Sequence, residues 1–262
     1  MTNAALHVAR TGLDAQNTKM QVIANNLANM NTTGFKKDRA NFEALAYQQL
    51  IAAGSASDSE NKFATGLSLG TGVALAGTSR VDTQGTLQDT GNAFDLAIEG
   101  NGYFQLQRPD GSIGYTRDGN FTRTAEGTLV NSDGLPLVPQ IQVPQGTTAI
   151  TIGNDGTVSA TLPGESAPTE LGQIELASFT NPSGLQSIGG NVLLESAASG
   201  APQVGAAGLE GRGTIRQGSL EGSNVNIVEE LVDMIETQRA YEVNSKMIKS
   251  TDEMLQYVNQ QL

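Results

Sequence analysis

Composition and charge exclude several classes of function for this chain. Its 262 residues include no cysteine, and 27 acidic against 15 basic side chains give a formal net charge of −12. The lack of cysteine excludes disulfides, thiol nucleophiles and cysteine-bound metals. The acidic excess argues against a nucleic-acid partner, because such proteins need basic surface to displace counterions from phosphates.

Two kinds of membrane signal are also missing from the sequence. The stretch "MTNAALHVARTGLDAQ" has neither the basic n-region nor the continuous apolar h-region of a cleavable signal peptide. No apolar run approaches the roughly 18–20 residues that a membrane span needs. We expect no direct membrane insertion, so a dedicated exporter must carry the protein if it leaves the cytoplasm.

The first predicted element is a long N-terminal helix. Its apolar residues recur every seven positions, which is the spacing of a coiled-coil seam. They are Leu6, Leu13, Met20 and Leu27, with Ile23 on the second row of the seam. The pattern stops at "NTTGF", where Gly34 can take the left-handed conformation that closes a helix. The last turns are crowded with Asn25, Asn26 and Asn29, although asparagine is a mediocre helix former.

The middle of the chain predicts strands. Residues 72–204 contain short β-rich runs such as "FDLAI" and "GYFQLQ". Asp-Gly pairs separate several of these runs, and such pairs are hairpin signals. Residues 51–71 are small and polar and are predicted to form a long loop, while the Gly- and Ala-rich stretch 198–222 is the return path.

The last predicted element is a long C-terminal helix. Asn226 followed by Glu229 is typical of a capping box at a helix start. Apolar residues again step by seven along this helix, with Leu231 beside them: Ile227, Met234, Tyr241, Ile248 and Leu255. Polar residues such as Gln16 and Gln238 interrupt the seams, so we expect these helices to find further partners in other subunits. An ordinary intramolecular helical hairpin is the alternative.

These elements together predict an α+β fold. The long N- and C-terminal helices form an α-helical coiled-coil domain, made of residues 1–35 and 225–262. An all-β domain at residues 72–204 is inserted between them. Residues 36–71 and 205–224 form an extended connector with a long loop.

No group of residues in the sequence points to catalysis. His7 is the only histidine, and no Asp-x-Asp-x-Asp-Gly loop for calcium occurs. The stretch "GTGVALAG" lacks the third glycine of the dinucleotide fingerprint. We therefore expect a protein that is not an enzyme, with no catalytic, cofactor-binding or metal-binding residues.

Three long stretches resemble one protein family. "ANNLANMNTTGFKKDRANFEAL" (24–45), "DLAIEGNGYFQLQRPDGSIGYTRDGNFTRTAEGTLVNSDGLPL" (95–137) and "GSLEGSNVNIVEELVDMIETQRAYEVNSKMIKSTDEMLQYVNQQL" (218–262) are similar to bacterial flagellar rod and hook proteins. The chain is too short for the larger outer domain of a hook protein. "GLSLGTGV" (66–73) is most similar to subunits of the distal rod, and the proximal rod remains the alternative.

The resemblance implies a mechanical function. Subunits of this family polymerise into a helical tube, a drive shaft that encloses the export channel and transmits torque from motor to hook. The implied partners are other copies of the chain, neighbouring rod proteins, the hook protein, the periplasmic and outer-membrane ring bushings, and the flagellar type III export apparatus. The implied location is the basal body, from periplasm to outer membrane. A secreted β-domain binding protein with helical oligomerisation segments is a second hypothesis.

The resemblance also assigns roles to residues. The apolar rows of both helices become the core of the assembly. Asn25, Asn26 and Asn29 share a helix face, and we expect their amides to fix the register between subunits, as a buried asparagine does in coiled coils. We expect the connector loop to extend onto adjacent subunits and block sliding, through Asp58, Glu60, Lys62 and Phe63. A solvated loop is the alternative.

Overall fold

The chain divides into two compact units. A computed structural model describes residues 2–55, 63–164 and 167–261. The first unit, here the helical unit, comprises Met1–Leu27, Asp38–Ser79 and Asn226–Leu262. The second, here the β unit, comprises Ala28–Lys37 and Arg80–Val225.

The helical unit contains both long helices and four strands. Helix α1 spans Thr2–Ala28 and helix α2 spans Ile227–Gln261. Strands β1 (Asp38–Ala44), β2 (Tyr47–Ile51), β3 (Leu67–Gly70) and β4 (Val73–Arg80) lie between them in the chain. Strand β1 pairs with β4, and β2 pairs antiparallel with β3. We call these four strands the ribbon.

The start of α2 follows the predicted cap. The Asn226 side-chain oxygen accepts a hydrogen bond from the Val228 backbone N–H at 3.1 Å, which satisfies one of the unpaired donors of a helix start. Two acidic residues, Glu229 and Glu230, lie in the first turn. Their charge complements the positive end of the helix dipole.

Three contacts show that α1 and α2 run antiparallel to each other. The Asn26 amide donates to Glu230 at 3.2 Å, and Lys19 lies 3.8 Å from Asp233. Further along, Gly12 of α1 lies close to Asn244 of α2, because a Cβ atom added to Gly12 would be 3.0 Å from the Asn244 side-chain nitrogen. On α2 the side chains that are buried or half-buried on this row step by seven: Glu230, Thr237, Asn244 and Thr251. These three contacts between the helices involve polar and small side chains.

This arrangement corrects the predicted fold class, an α+β protein built on a coiled-coil domain. The described residues contain two α-helices and many small sheets, with 36% strand against 23% helix. A coiled coil needs apolar a and d side chains of each helix in the holes of the other. On α2, however, Ile227 and Tyr241 of the predicted seam are exposed, whereas the buried row lies three positions further along. Strands β1, β2 and β3 of the ribbon lie within the first segment of the predicted connector, residues 36–71.

Asn26 joins three segments of the helical unit. Its side-chain nitrogen donates to the Asp38 carbonyl at 2.9 Å as well as to Glu230. Its side-chain oxygen accepts from the Asp38 backbone N–H at 3.0 Å. Asn26 and Glu230 are 2% and 4% exposed, so these bonds are shielded from water. The end of α1 is thereby fixed to the start of β1 and the start of α2.

The β unit consists of short strands. They are β5 (Leu87–Asp89), β6 (Leu96–Glu99), β7 (Phe104–Gln107), β8 (Ile113–Thr116), β9 (Thr122–Arg123), β10 (Leu129–Val130), β11 (Leu137–Val138), β12 (Ala149–Ile152), β13 (Thr157–Thr161), β14 (Thr169–Gln173), β15 (Glu175–Ser178), β16 (Gln186–Gly189), β17 (Val192–Leu194), β18 (Gln203–Ala206), β19 (Thr214–Gln217) and β20 (Ser219–Glu221). The largest sheet has the strand order β11-β7-β8-β17-β16, and a second sheet has the order β12-β13-β14. The two-stranded pairs β15-β18, β19-β6, β20-β5 and β10-β9 complete the unit.

The core of the β unit packs around two phenylalanines. Phe104 on β7 and Phe121 are fully buried, and their rings meet edge to face with centroids 5.3 Å apart. Aliphatic side chains from several sheets surround them, including Leu96 and Ile215. Gly119 permits the close approach of two backbone segments here, because a Cβ at this position would lie 1.6 Å from the Leu96 carbonyl oxygen.

We expect the substitution Asn26→Ala to destabilise the helical unit. It removes the amide from two Asp38 backbone groups and from Glu230, and unpaired buried polar groups cost about 1–3 kcal/mol. The free energy of unfolding, measured by denaturant titration with circular dichroism, should fall accordingly. Gln21→Ala on the exposed side of the same helix is the control and should be near neutral. Equal stability of the two variants would contradict the structural role of Asn26.

Candidate assembly interface

Helix α2 exposes a long series of apolar side chains. Its first turns carry Ile227, Val228, Leu231, Val232 and Ile235, which are 43%, 69%, 43%, 50% and 50% exposed. Their spacing places them on one side of the helix. The later turns add further exposed apolar side chains: Tyr241, Val243, Met247, Met254 and Tyr257. Large exposed apolar patches mark interaction sites in soluble proteins.

The predicted seam residues are distributed over different environments. On α1, Ile23 is buried, while the other predicted residues are half-buried: Leu6, Leu13, Met20 and Leu27. On α2, Ile227, Leu231 and Tyr241 are exposed, and Met234 and Ile248 are half-buried. The Leu255 side chain lies outside the described residues. A role of these residues between subunits stays a prediction.

The heptad pattern missed part of the exposed surface. Val228, Val232 and Ile235 lie outside the two predicted rows, yet they are more exposed than the exposed residues of those rows, Ile227, Leu231 and Tyr241. A wide apolar stripe at i, i+4 and i+7 spacing is the available signal for them. Counting apolar residues around the whole helix, rather than along a two-row seam, would have found them.

The three asparagines also differ from one another. Asn26 uses its amide within the chain, as described above. Asn25 is exposed and Asn29 is half-buried, with the Asn29 side-chain oxygen accepting from the Thr32 hydroxyl at 3.1 Å. The Thr32 backbone N–H also donates to the Asn29 carbonyl at 3.1 Å, which turns the chain after α1. Register-fixing between subunits stays a prediction for this group.

The ribbon exposes apolar side chains as well. Tyr47, Leu50, Leu67 and Leu69 are 64%, 55%, 47% and 43% exposed. In the β2–β3 register Gln48 lies opposite Leu69 and Tyr47 lies opposite Gly70, so the exposed apolar residues occupy both faces. A two-stranded ribbon is marginally stable by itself in water. These side chains are therefore a second set of exposed apolar residues, on an element separate from α2.

Of the predicted connector-loop residues, the structure describes Phe63. Asp58, Glu60 and Lys62 lie outside the described residues. The Phe63 side chain is 38% exposed. Its backbone N–H donates to the Ser55 carbonyl at 2.9 Å, and its carbonyl accepts from the Gly54 N–H at 2.8 Å. Backbone hydrogen bonds thus continue past the paired strands β2 and β3, to Gly54, Ser55 and Phe63.

The described part of the chain offers little for chemistry. His7 lies in an exposed setting with Nδ1 3.1 Å from the Thr71 carbonyl oxygen. Within residues 2–55, 63–164 and 167–261, no group of three or more His, Cys, Asp or Glu side chains is arranged to hold a metal ion. No helix in those same segments combines the length and apolar character needed to cross a membrane.

Three family models match successive parts of the chain. The model described as flagella basal body rod protein matches residues 6–36. The flagellar hook protein FlgE/F/G D1 domain model matches residues 97–160. The flagellar basal body rod FlgEFG protein C-terminal model matches residues 216–261. The first and third matches include α1 and α2, which carry the exposed and half-buried apolar rows.

Curated relatives match over nearly the full length. The flagellar basal-body rod protein FlgG of Buchnera aphidicola subsp. Acyrthosiphon pisum is 49% identical over 256 residues, covering 98% of each chain. FlgG of Caulobacter vibrioides is 46% identical over 257 residues, again covering 98% of each chain. The rod protein FlgF of the same organism is 36% identical over 250 residues, covering 93% of this chain and 92% of the relative. This chain therefore belongs to the family of bacterial flagellar basal-body rod proteins.

Proposed function

We propose that the chain is a structural subunit of the distal rod of the bacterial flagellar basal body. Full-length identity of 46–49% to proteins named FlgG, the distal rod protein, carries this proposal. The relative named FlgF is less similar, at 36%, which favours the distal over the proximal rod. The protein acts mechanically, as one repeat of a helical tube that encloses the export channel.

The exposed surface of α2 supports self-assembly. A single chain leaves Val228 and its apolar neighbours in water, although burial stabilises apolar surface by roughly 25 cal/mol per Å². Repeated contacts in a polymer would bury this surface once per subunit. The weak polar contact between α1 and α2 leaves the predicted assembly rows, such as Tyr241 and Leu231, available to other subunits. Neighbouring helices of the tube are therefore the proposed occupants.

The wider set of partners follows from the family. We infer contacts with neighbouring rod proteins at one end, with the hook at the other, and with the ring bushings around the rod. Export by the flagellar type III apparatus is part of the same proposal, and so is a location from the periplasm to the outer membrane. A torque-transmitting subunit needs interfaces rather than a reaction centre, so we propose no enzymatic activity.

We propose that the ribbon determines stiffness. A drive shaft requires subunits that do not slide past one another. The ribbon extends from residues 38 to 80 and exposes apolar side chains on both faces, including Tyr47 and Leu50. Docking of these faces on adjacent subunits would add contacts that oppose sliding. The loop that carries Asp58, Glu60 and Lys62 would extend that contact.

We expect Leu231→Asp to abolish polymerisation without affecting the fold of the single chain. Leu231 is 43% exposed, so a charge there is solvated in the monomer. In a polymer the same carboxylate would be desolvated at every interface, which costs several kcal/mol. Electron microscopy and sedimentation of concentrated protein should show no rods, with an unchanged melting temperature.

A matched control separates interface from charge. Leu209→Asp replaces a leucine that is 60% exposed in a turn of the β unit and should still form rods. If Leu231→Asp polymerises at the wild-type concentration, the first turns of α2 are not an assembly surface.

We expect deletion of residues 52–65 to give polymers that form but bend. The deletion joins Ile51 to Gly66, and a Cβ on Gly66 would already lie 2.8 Å from the Ile51 carbonyl oxygen, so the new connection is short enough to close. Bending stiffness would be measured from the contours of rods in electron micrographs. A Gly/Ser replacement of equal length tests whether the side chains or the length matter. Straight rods of unchanged stiffness after the deletion would assign residues 52–65 to a solvated loop.

A further inference from the structure

A buried ionic cluster lies in the β unit, away from the exposed apolar surfaces. Glu221, at the end of β20, accepts from the Lys36 ammonium at 2.5 Å and from the Arg117 guanidinium at 3.0 Å. The side chains of Glu221, Lys36 and Arg117 are 0%, 3% and 5% exposed. The Gly85 backbone N–H also donates to Glu221, at 2.8 Å. We call Glu221, Lys36 and Arg117 the Glu221 cluster.

Each of the two cations also donates to a backbone oxygen, whereas the buried Arg117 Nε has no hydrogen-bond partner in the described part of the chain. Lys36 donates to the Thr83 carbonyl at 2.8 Å, and Arg117 donates to the Gly100 carbonyl at 2.7 Å. The Arg117 guanidinium also lies over the Tyr103 ring, 5.4 Å from its centroid. Burial lowers the pKa of Lys36, and the Glu221 carboxylate opposes that shift. Glu221 is the one acidic residue that both cations contact within the described part of the chain, so its single negative charge offsets part of their two buried positive charges.

The backbone around Glu221 closes the β unit at the same place. The Gly34 N–H donates to the Glu221 carbonyl at 2.8 Å, and the Gly222 N–H donates to the Thr86 carbonyl at 2.8 Å. Nearby, the Asn224 side-chain oxygen accepts from the Lys37 N–H at 2.8 Å, and its nitrogen donates to the Val81 carbonyl at 2.8 Å. Residues 221–224 are thus hydrogen-bonded to two earlier segments of the chain, at residues 34–37 and 81–86.

The positions of these residues in the chain set an order of events. Lys36, Gly85 and Arg117 emerge early from a ribosome or an export channel, whereas Glu221 emerges late. Until Glu221 arrives, closing the β unit would bury two cations without the carboxylate that both contact, and with only the longer-range charge of Asp82 acting on Lys36. Uncompensated buried charge strongly destabilises a fold. The hydrophobic core is available slightly earlier, since its last member, Ile215, precedes Glu221.

We propose that Glu221 is a latch that keeps the β unit open until residues 221–224 have emerged. The latch is a property of the folding of one chain, so it holds whether or not the chain becomes a rod subunit. While a chain crosses a narrow channel N-terminus first, Lys36 and Arg117 leave the channel before Glu221 does. The β unit therefore stays open during the crossing. The charge of Glu221, rather than the apolar core alone, determines when closure occurs.

Ribosome-bound nascent chains of increasing length test the order of events. Stall points are chosen so that the chain has emerged to residue 218 or to residue 225, and protease resistance of residues 80–217 is measured. We expect cleavage to be at least about tenfold slower at 225 than at 218, because proteolysis follows the population of the open form. Equal resistance at the two lengths, or resistance only for the complete chain, would overturn the proposal.

Two variants test the role of charge. Glu221→Gln keeps the size of the side chain and should leave the 225 chain sensitive, whereas Glu126→Gln on an exposed turn should behave as wild type. The double variant Lys36→Met with Glu221→Gln removes one of the two uncompensated cations and should restore part of the resistance. If Glu221→Gln is as resistant as wild type, or if the double variant restores nothing, the latch is not electrostatic and the proposal fails.

Discussion

The structure depends on two buried carboxylates near the end of the chain, each held by a residue from near its beginning. Glu221 in the β unit contacts Lys36, and Glu230 in the helical unit contacts Asn26. A buried carboxylate is stable only when its charge or its hydrogen bonds are satisfied. Each unit is therefore complete only when both ends of the chain contribute to it.

The sequence predicts those elements whose signals are local. The ends of the helices are one example, because Gly34 has a left-handed φ of 68° after α1 and Asn226 caps α2. The β-rich runs at 94–98 and 102–107 are another, since their buried residues Leu96 and Phe104 belong to the main core. Hydrophobic composition and turn residues suffice where one face of an element is buried in the same chain.

The prediction of a coiled-coil contact and the failure to predict the ribbon have a common physical cause. A heptad row identifies apolar residues but does not say whether their partner is the other helix or another molecule. The contact between α1 and α2 instead uses Glu230 with Asn26 and Asp233 with Lys19, and these side chains carry no apolar signal. The ribbon was missed for a related reason, because strands such as β3 are exposed along their whole length and show no alternation of buried and exposed residues.

The same distribution of surfaces connects fold and function. If α1 and α2 packed through their apolar rows, the single chain would be more stable and the surface for neighbours would be lost. A seam of polar and small residues gives the helices a defined direction, since Asn26 has hydrogen-bond partners at Glu230 and Asp38. It leaves residues such as Val228 and Val232 exposed in the single chain. If neighbouring subunits bury these side chains, as proposed, a polymer would be stabilised at every repeat by side chains that are exposed in one chain.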